Sequence, residues 1–297
     1  MGKHAYLILA HNKMNQLALM LRALDDERND FFVLLDCKLK DVNYDALRAE
    51  IRKGRLFFLP DLIDVRWGQY SQVYARMRLM KIASETDHYD FYHNISGQDL
   101  PLKTQDEIHG FFDSHPGTEF LSYNRPDRGA KYAHRCRFYY DFLKYIGRPK
   151  SRFQKARIFA AAYCQKLLLG VDRQKLNPDV VFMKGGAWFS VTDAFVRYCV
   201  SKADWVAETF ADTYCGDEMF MQTLLFQSPY KDKLYVPREG EKSSMRLTDW
   251  NRGKPYTFRA ADYEELVNSK LLFARKFDID LDPEIVMRLV DHALTGR

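Results

Sequence analysis

The sequence lacks the signatures of several large protein classes. The chain of 297 residues has five cysteines, widely scattered and without a CxxC pair, so we predict neither a zinc site nor a disulfide framework. No stretch approaches the ~20 apolar residues that a transmembrane helix needs, and the first apolar run is too short for a signal peptide. No internal repeat is present. We therefore expect a cytoplasmic protein with no signal peptide or transmembrane helix.

The common nucleotide-binding motifs are missing as well. The first predicted strand, AYLILA, ends in AHNK rather than in GxGxxG, which argues against a dinucleotide-binding fold. The chain also has no GxxxxGK[ST], which argues against a P-loop nucleotidase.

What the sequence does contain is an alternation of apolar strands and helices. Hydrophobic residues make up 46% of the chain, with 21 Phe and 18 Tyr, enough for a globular core. Buried strands are predicted at 5–10, 31–36, 55–60, 89–96 and 119–123. Helices are predicted at 14–24, 44–53, 69–86, 104–114, 153–169, 193–202 and 218–227, and from Pro283 onward. This alternation predicts an α/β fold with a mainly parallel central sheet flanked by helices. We expect one domain, 1–297, with insertions.

Positive charge is concentrated in one segment. Residues 125–157 hold eleven Lys or Arg and two acids, a local charge of +9, so the rest of the chain sums to 5 − 9 = −4. With its interleaved aromatic residues, this segment suits an acidic polymer, anionic lipid head groups or RNA. The alternative is a solvated excursion from the domain. No RNA-recognition signature is present, so we expect no nucleic-acid partner and keep peripheral membrane contact as a hypothesis.

Polar residues follow three of the predicted strands. His11 and Asn12 follow the first, Asp36 ends the second, and Ser96–Asp99 follow the fourth. Ligands of open α/β sheets bind at these carboxyl ends. Asp36 is suited to accept hydrogen bonds from a base or a ribose, although a strand-end cap explains any one of these residues equally well. Three such ends together favour a pocket.

The motif VRWGQYSQVYA places Arg66, Trp67 and Gly68 just before a helix that starts near Tyr70 or Ser71. Helix N-termini bind phosphates, and a tryptophan offers a stacking surface, although Trp is more often a core residue.

The motif SGQDLP runs from a buried strand into a turn and Asp99. Metal-dependent sugar transferases commonly present a D-x-D pair at such a strand end, but this motif has only one carboxylate.

The segment TYCGDEMFMQTLL contains two adjacent acids before an amphipathic helix. Asp217 is a candidate N-cap, and Glu218 is predicted in the first helical turn. The helix dipole would stabilise Glu218 as an anion, which is the state that a general base needs. A plain acid at a helix N-terminus is the alternative.

Two further segments carry candidate binding residues. In KGGAWFSVT, Gly186 and Trp188 suit a loop that closes over a sugar, or else a plain turn. In LLFARKFDID, Arg275 and Lys276 interrupt an apolar run. Burying such charges is costly unless they are paired, so they lie either on a surface or at an anion site.

Taken together, these motifs resemble the core-2/I-branching β-1,6-N-acetylglucosaminyltransferase family, which includes the peptide O-xylosyltransferases. The resemblance runs through AYLILAHNK, FFVLLDCK, VRWGQYSQVYA, NISGQDLPLKT, GGAWFSVT, DEMFMQTLL and LLFARKFDID. It implies a GT-A-like fold and an inverting transfer of GlcNAc or xylose from a UDP-sugar. As the acceptor we expect a glycan or a lipid-linked oligosaccharide. No metal or other cofactor is expected.

The resemblance also implies roles for individual residues. Glu218 is the general base, Asp36 and the His11 region take the uridine, and Lys276 holds the diphosphate together with an arginine. That arginine is ambiguous among Arg246, Arg252 and Arg259. The expected donor-binding residues are His11, Asp36, Arg66, Trp67, Ser71, Asp99, Arg252, Arg275 and Lys276. The expected acceptor-binding residues are Gly186, Trp188 and Asp217, and Asp217 is also grouped with Glu218 as catalytic.

Some features depart from the family. Animal members carry a membrane anchor and disulfides, so we expect a bacterial-type cytoplasmic member. The nucleotide-binding part is assigned to about 1–124, a basic insertion to about 125–170 and the acceptor and catalytic part to about 171–297. A metal-dependent transferase using Asp99 or the acids Asp278, Asp280 and Asp282 remains an alternative, as does a non-catalytic carbohydrate-binding homologue.

Overall fold

Apolar runs such as AYLILA and FFVLL form the inner strands of a six-stranded sheet in the computed structural model of the chain. The structure describes residues 2–124, 134–140, 142–146, 149 and 151–296. The strands are β1 (His4–Ala10), β2 (Asn29–Leu35), β3 (Arg55–Phe58), β4 (Phe91–Ser96), β5 (Asp99–Pro101), β6 (Phe120–Tyr123), β7 (Gly185–Thr192), β8 (Arg246–Thr248) and β9 (Phe273–Arg275).

Helices fill most of the connections. They are α1 (Met14–Leu24), α2 (Tyr44–Arg48), α3 (Ser71–Thr86), α4 (Gln105–Asp113), α5 (His134–Arg137), α6 (Leu143–Ile146), α7 (Arg152–Leu169), α8 (Asp193–Ser201), α9 (Ala203–Phe210), α10 (Phe220–Phe226), α11 (Tyr263–Val267) and α12 (Pro283–Thr295). Short 3-10 turns lie at Arg173–Leu176, Gly216–Glu218, Lys231–Lys233 and Ala260–Asp262. No helix in the described part of the chain is both long enough and apolar enough to cross a membrane.

Strand order in the large sheet is β3-β2-β1-β4-β7-β6. The strands β3, β2, β1 and β4 are parallel, and β7 runs antiparallel to both β4 and β6. Because β7 is reversed, with Thr192 opposite Phe91 and Phe189 opposite Asn94, its start lies at the edge where the parallel strands end. The prediction of a mainly parallel central sheet is confirmed.

Helices cover both faces of this sheet, as predicted. Successive side chains of a strand point to opposite faces. Tyr6 and Ile8 of β1 therefore pack with α1 and α12, whereas Ala5 and Leu7 pack with α3 and α8. All four β1 side chains are completely buried.

A second sheet has three strands in the order β5-β9-β8. Strand β5 follows β4 almost directly and pairs antiparallel with β9, which places Asp99 opposite Arg275. Two motifs far apart in the sequence, SGQDLP and LLFARKFDID, are thereby joined by backbone hydrogen bonds.

We predicted a loop or a turn for the KGGAWFSVT segment, and this prediction is wrong. Residues Gly185–Thr192 of the segment form the strand β7. Its apolar residues Phe189 and Val191 are buried in the sheet. Gly185 lies against β6, where a Cβ atom would come within 1.8 Å of the Ser122 carbonyl oxygen. The glycine therefore serves a close approach of two strands rather than a turn.

The predicted helix at 44–53 is shorter than expected and ends at Arg48. The Asp25 carboxylate accepts hydrogen bonds from the backbone amides of Arg52, Lys53 and Gly54. These contacts fix the chain in a loop that leads into β3. Two other predicted boundaries are confirmed, since Thr104 caps α4 in a capping box and α12 begins at Pro283.

The connection between β6 and β7 leaves and re-enters the sheet at adjacent points. Tyr123 pairs with Gly185, and the amide of Asn124 donates to the Lys184 carbonyl oxygen at 2.7 Å. This connection carries the basic insertion, of which the described residues include α7.

Candidate active site

Charged groups converge where β1 and β2 end. The Asp36 carboxylate is buried (3% exposed) and pairs with the Lys38 ammonium at 3.0 Å. Partial burial lowers the pKa of the His11 imidazole; the charge of Asp36 opposes this, while Lys38, Arg275 and Lys276 reinforce it. The histidine ring is thus within electrostatic reach of both the β2 end and the β9 end.

The side chain of Arg275 points into this edge of the sheet. Its guanidinium lies 3.8 Å from the Trp188 ring centroid and 3.5 Å from an Asp99 carboxylate oxygen. Asp99 is itself held by the Ser96 hydroxyl at 2.6 Å. A cation stacked on a tryptophan face is stabilised by the negative face of the ring, so Trp188, Arg275 and Asp99 form one unit.

Lys276 follows immediately, and its backbone is fixed by hydrogen bonds to Tyr256 and Phe258. Its side chain is partly buried. Among the residues that the structure describes, its ammonium has no hydrogen-bond or ion-pair partner. It is therefore available to an anion.

A buried arginine from α3 continues the site. The Arg76 guanidinium lies 5.6 Å from the Trp188 ring centroid and 3.7 Å from the Asp217 carboxylate, and it donates to the Gln72 carbonyl oxygen at 2.9 Å. Burial lowers the pKa of Arg76 and raises the pKa of Asp217, and the attraction between the two charges opposes both shifts. Arg76 thus links Trp188 to the turn that carries Glu218.

Glu218 is held by two cations. Its Oε2 atom accepts a hydrogen bond from Arg135 at 2.8 Å and lies 3.2 Å from the Lys184 ammonium. Burial raises the pKa of this carboxyl, but Lys184 and Arg135 together outweigh burial, so the pKa is lowered. The side chain is 36% exposed. Glu218 is therefore an anion that solvent or a substrate reaches.

The prediction that Asp217 caps a helix with Glu218 in its first turn is wrong. Gly216–Glu218 form a separate 3-10 turn, and α10 begins at Phe220 with Met219 as its N-cap. Cys215 adopts a left-handed conformation (φ 51°), so no regular helix runs through the residue before the turn. The Asp217 side chain points to Arg76 instead of capping. The anionic state of Glu218 consequently comes from Arg135 and Lys184 rather than from a helix dipole.

The VRWGQYS motif packs against this turn. The Gly68 carbonyl oxygen accepts from the Cys215 amide at 2.9 Å, and Trp67 meets Tyr214 edge-on with centroids 5.9 Å apart. Gly68 has a φ of +72°, which favours glycine. The α3 helix starts at Ser71, as predicted.

The phosphate-binding candidates of this motif already have protein partners. The Ser71 hydroxyl accepts from the Arg66 amide at 2.8 Å, and the Arg66 guanidinium pairs with Asp64 at 2.6 Å.

The three candidate arginines for the diphosphate are all engaged elsewhere. Arg252 is bound by three carboxylates, those of Asp249, Asp262 and Glu265. Arg246 is buried and donates to the Phe189 carbonyl oxygen and the Ser190 hydroxyl; burial lowers its pKa to about 10. Arg259 donates to the Leu281 carbonyl oxygen. The arginines that contact Trp188 are instead Arg275 and Arg76.

The sequence model of Core-2/I-Branching enzymes matches residues 4–271. The chain belongs to the Core-2/I-branching enzyme family. Xylosyltransferase 2 of Rattus norvegicus is 25% identical over 319 residues, which cover 98% of this chain and 34% of that protein. Xylosyltransferase 1 of Canis lupus familiaris is 24% identical over 322 residues, which cover 98% of this chain and 30% of that protein. The chain thus spans about a third of the length of these relatives.

Among solved structures, the apo form of mouse xyloside xylosyltransferase 1 is similar with a TM-score of 0.42 and 11% identity, covering 91% of this chain and 96% of that one.

The acids that we considered for a metal ion already have protein partners. Asp278 and Asp280 both pair with Lys13. Asp282 caps α12 by accepting from the Ile285 amide at 3.1 Å.

One group of three metal-capable side chains, Asp36, Cys37 and Asp64, occurs among the described residues. The Lys38 ammonium bridges its two carboxylates, lying 3.0 Å from Asp36 and 2.6 Å from Asp64. The lysine thus supplies the positive charge that these acids attract.

Sequence reasoning missed three residues of the site, namely Arg76, Arg135 and Lys184. Arg76 carried a signal, because it lies on the helix face of Val73 and Met80, where an arginine must be paired if it is buried. Lys184 directly precedes the paired glycines, and Arg135 belongs to the basic insertion. Neither of these two is distinguishable from a surface cation before the fold brings them to Glu218.

Proposed function

We propose that the protein is an inverting glycosyltransferase that moves GlcNAc or xylose from a UDP-sugar to a hydroxyl group of a glycan, without a metal ion. The observation that carries the proposal is a chain of contacts between two groups. The turn with the solvent-accessible carboxylate of Glu218 is linked through Arg76 and Trp188 to Arg275. The next residue, Lys276, has no ion-pair partner among the residues that the structure describes. The family membership and the xylosyltransferase relatives support the reaction class.

In the proposed reaction, Glu218 takes the proton of the acceptor hydroxyl. The oxygen attacks the anomeric carbon from the face opposite UDP, a new sugar–oxygen bond forms, and the bond to the diphosphate breaks. The proton remains on Glu218 and the negative charge moves to UDP. Arg135 and Lys184 keep Glu218 ionised, as a base must be before the transfer.

The donor is assigned to the ends of β1, β2 and β9. Asp36 and His11 face the uridine, and Lys276 binds the diphosphate. Arg275 is held by Asp99 and Trp188, and it adds a second fixed positive charge. Preorganised cations stabilise the charge that develops on the leaving group, and in a partly buried site they do so strongly.

Metal independence is supported by the neighbouring acids. Asp36 and Asp64 share Lys38, and Asp278 and Asp280 share Lys13. A divalent ion would have to displace a lysine at either place. The cations Arg275 and Lys276 supply the charge neutralisation that a metal ion provides in other transferases.

We further propose that the acceptor is a glycan or lipid-linked oligosaccharide reached at a membrane surface. The helix α7 leaves Leu167, Leu168 and Leu169 exposed and has basic but no acidic residues. Basic residues are attracted to an anionic bilayer surface, and the three exposed leucines at the end of the helix offer apolar contact with it. Sedimentation with vesicles of anionic and of neutral lipid tests this, and equal binding to both, or to neither, would contradict it.

The central test measures UDP release from a panel of UDP-sugars, with an acceptor mixture and with or without EDTA. We expect turnover of one donor, unaffected by EDTA and abolished in Glu218→Gln, while UDP binding stays unchanged. Glu264→Gln is the control for the loss of an exposed carboxylate. Loss of activity with EDTA would favour the metal-dependent alternative. UDP binding without turnover of any donor would favour a non-catalytic homologue.

A further inference from the structure

A cavity of about 580 Å³ opens in the basic insertion, between α5 and α7. Its walls include four aromatic rings, those of Phe138, Tyr140, Phe159 and Tyr163, and two cations, Arg135 and Lys155. The volume falls within the range of about 300–1,000 Å³ that is usual for small-molecule sites. The assignments so far place no group in it.

The cavity shares a wall with the proposed general base. Arg135 lines it and at the same time donates to Glu218 at 2.8 Å. An occupant of the cavity therefore lies one side chain away from the carboxylate that receives the acceptor proton. The donor is assigned to other residues, at the ends of β1, β2 and β9, where Arg275 contacts Trp188.

The wall chemistry identifies the kind of occupant. Aromatic rings pack against the apolar C–H face of a pyranose. The Phe159 ring also meets the His134 ring edge-on, with centroids 5.0 Å apart. No acidic side chain lines the cavity in the described part of the chain. Lys155 has its ammonium 6.0 Å from the Phe159 centroid, so it adds a positive charge at the rim of an aromatic surface.

We propose that this cavity is an acceptor subsite for an acidic sugar residue, one that bears a carboxylate or a phosphate group next to an apolar ring face. The assignment to the acceptor rests on the proposed function, whereas the recognition of an acidic sugar rests on the cavity alone. Lys155 receives the anionic group, and Phe159 and Tyr163 receive the ring.

The test titrates the intact protein with methyl β-glucuronide, glucose 6-phosphate and methyl β-glucoside, and follows binding by ligand-observed NMR without any donor. We expect one of the two acidic sugars to bind at least about fivefold tighter than the neutral glucoside. The tighter acidic ligand identifies a carboxylate or a phosphate as the recognised group. Lys155→Glu should weaken that ligand about tenfold and leave the glucoside within about twofold.

Lys166→Glu is the matched control, since Lys166 lies on the same helix but does not line the cavity. Equal affinity for all three sugars, no binding of any, or the same loss in Lys166→Glu as in Lys155→Glu would overturn the proposal. Because no donor is present, these outcomes are independent of the turnover test with Glu218→Gln. Failure of turnover alone leaves the acidic-sugar site standing, and failure of binding alone leaves the transferase assignment standing.

Discussion

Replacing Glu119 with glutamine should remove a large part of the pH dependence of stability. Glu119 is completely buried just before β6, and its carboxylate accepts from the Thr192 amide at 3.0 Å and from the Thr192 hydroxyl at 2.6 Å. Burial raises the pKa of this carboxyl from 4.5 to about 7, and the hydrogen bonds from Thr192 oppose the increase only partly. Glutamine keeps the shape, and the Thr192 hydroxyl can turn to accept from its amide.

The magnitude follows from the two pKa values. The unfolded chain releases the Glu119 proton near pH 4.5 and the folded chain near pH 7. Between these values the folded state binds more protons, so stability falls as pH rises. Each pKa unit is worth about 1.4 kcal/mol, so the wild type should lose about 2–3 kcal/mol relative to Glu119→Gln between pH 5 and pH 8.

The assay is urea unfolding of both proteins at pH 5 to 8, followed by tryptophan fluorescence. The quantity compared is the difference in free energy of unfolding between wild type and variant at each pH, so that all other titrating groups cancel. Glu85→Gln controls for the loss of an exposed carboxylate. A difference that stays constant with pH would show that Glu119 is not protonated in the folded state, and the reasoning would be refuted.

Two further predictions concern the site. Lys276→Ala should raise the Kd for UDP about 10- to 100-fold, the worth of one charge-assisted contact, and change the Kd for uridine less than twofold; calorimetry that finds equal losses would contradict the diphosphate assignment. Lys184→Met removes a cation that lowers the pKa of Glu218. Since the base form is lost as pH falls through that pKa, activity should drop several times more at pH 5.5 than at pH 8. Lys184→Arg should restore the profile, and a uniform loss at every pH would argue against Glu218 as the base.

The sheet was predictable because its signals are local. Uninterrupted apolar runs such as FFVLL need burial on two faces, and the helices between them carry apolar residues at helical spacing. The prediction for the KGGAWFSVT segment was wrong because the decisive contact is not local. Paired glycines usually mark a turn, whereas the position of Gly185 is explained only by the β6 backbone that passes beside it.

The site was predictable in part for a related reason. His11, Asp36 and Asp99 follow strands, so their convergence at one edge follows from the topology. The partners of Glu218 do not follow from it, because Arg135 and Lys184 reach the carboxylate from separate ends of a long connection. From the sequence alone, the only local explanation for an anionic Glu218 was the dipole of a helix that begins at Asp217. The structure excludes this explanation, because Glu218 lies in a short 3-10 turn and the helix begins later, at Phe220.

The connection between β6 and β7 departs from and returns to one point of the sheet, where Tyr123 pairs with Gly185. The entropic cost of closing a loop rises by only about 0.6 kcal/mol for each doubling of its length. The connection can therefore vary in length without any change in the register of β6 and β7, as long as Arg135 and Lys184 still reach Glu218. In the proposed function, such a change of length would alter the acceptor side of the site and leave the ends of β1 and β2, to which we assign the donor, unchanged.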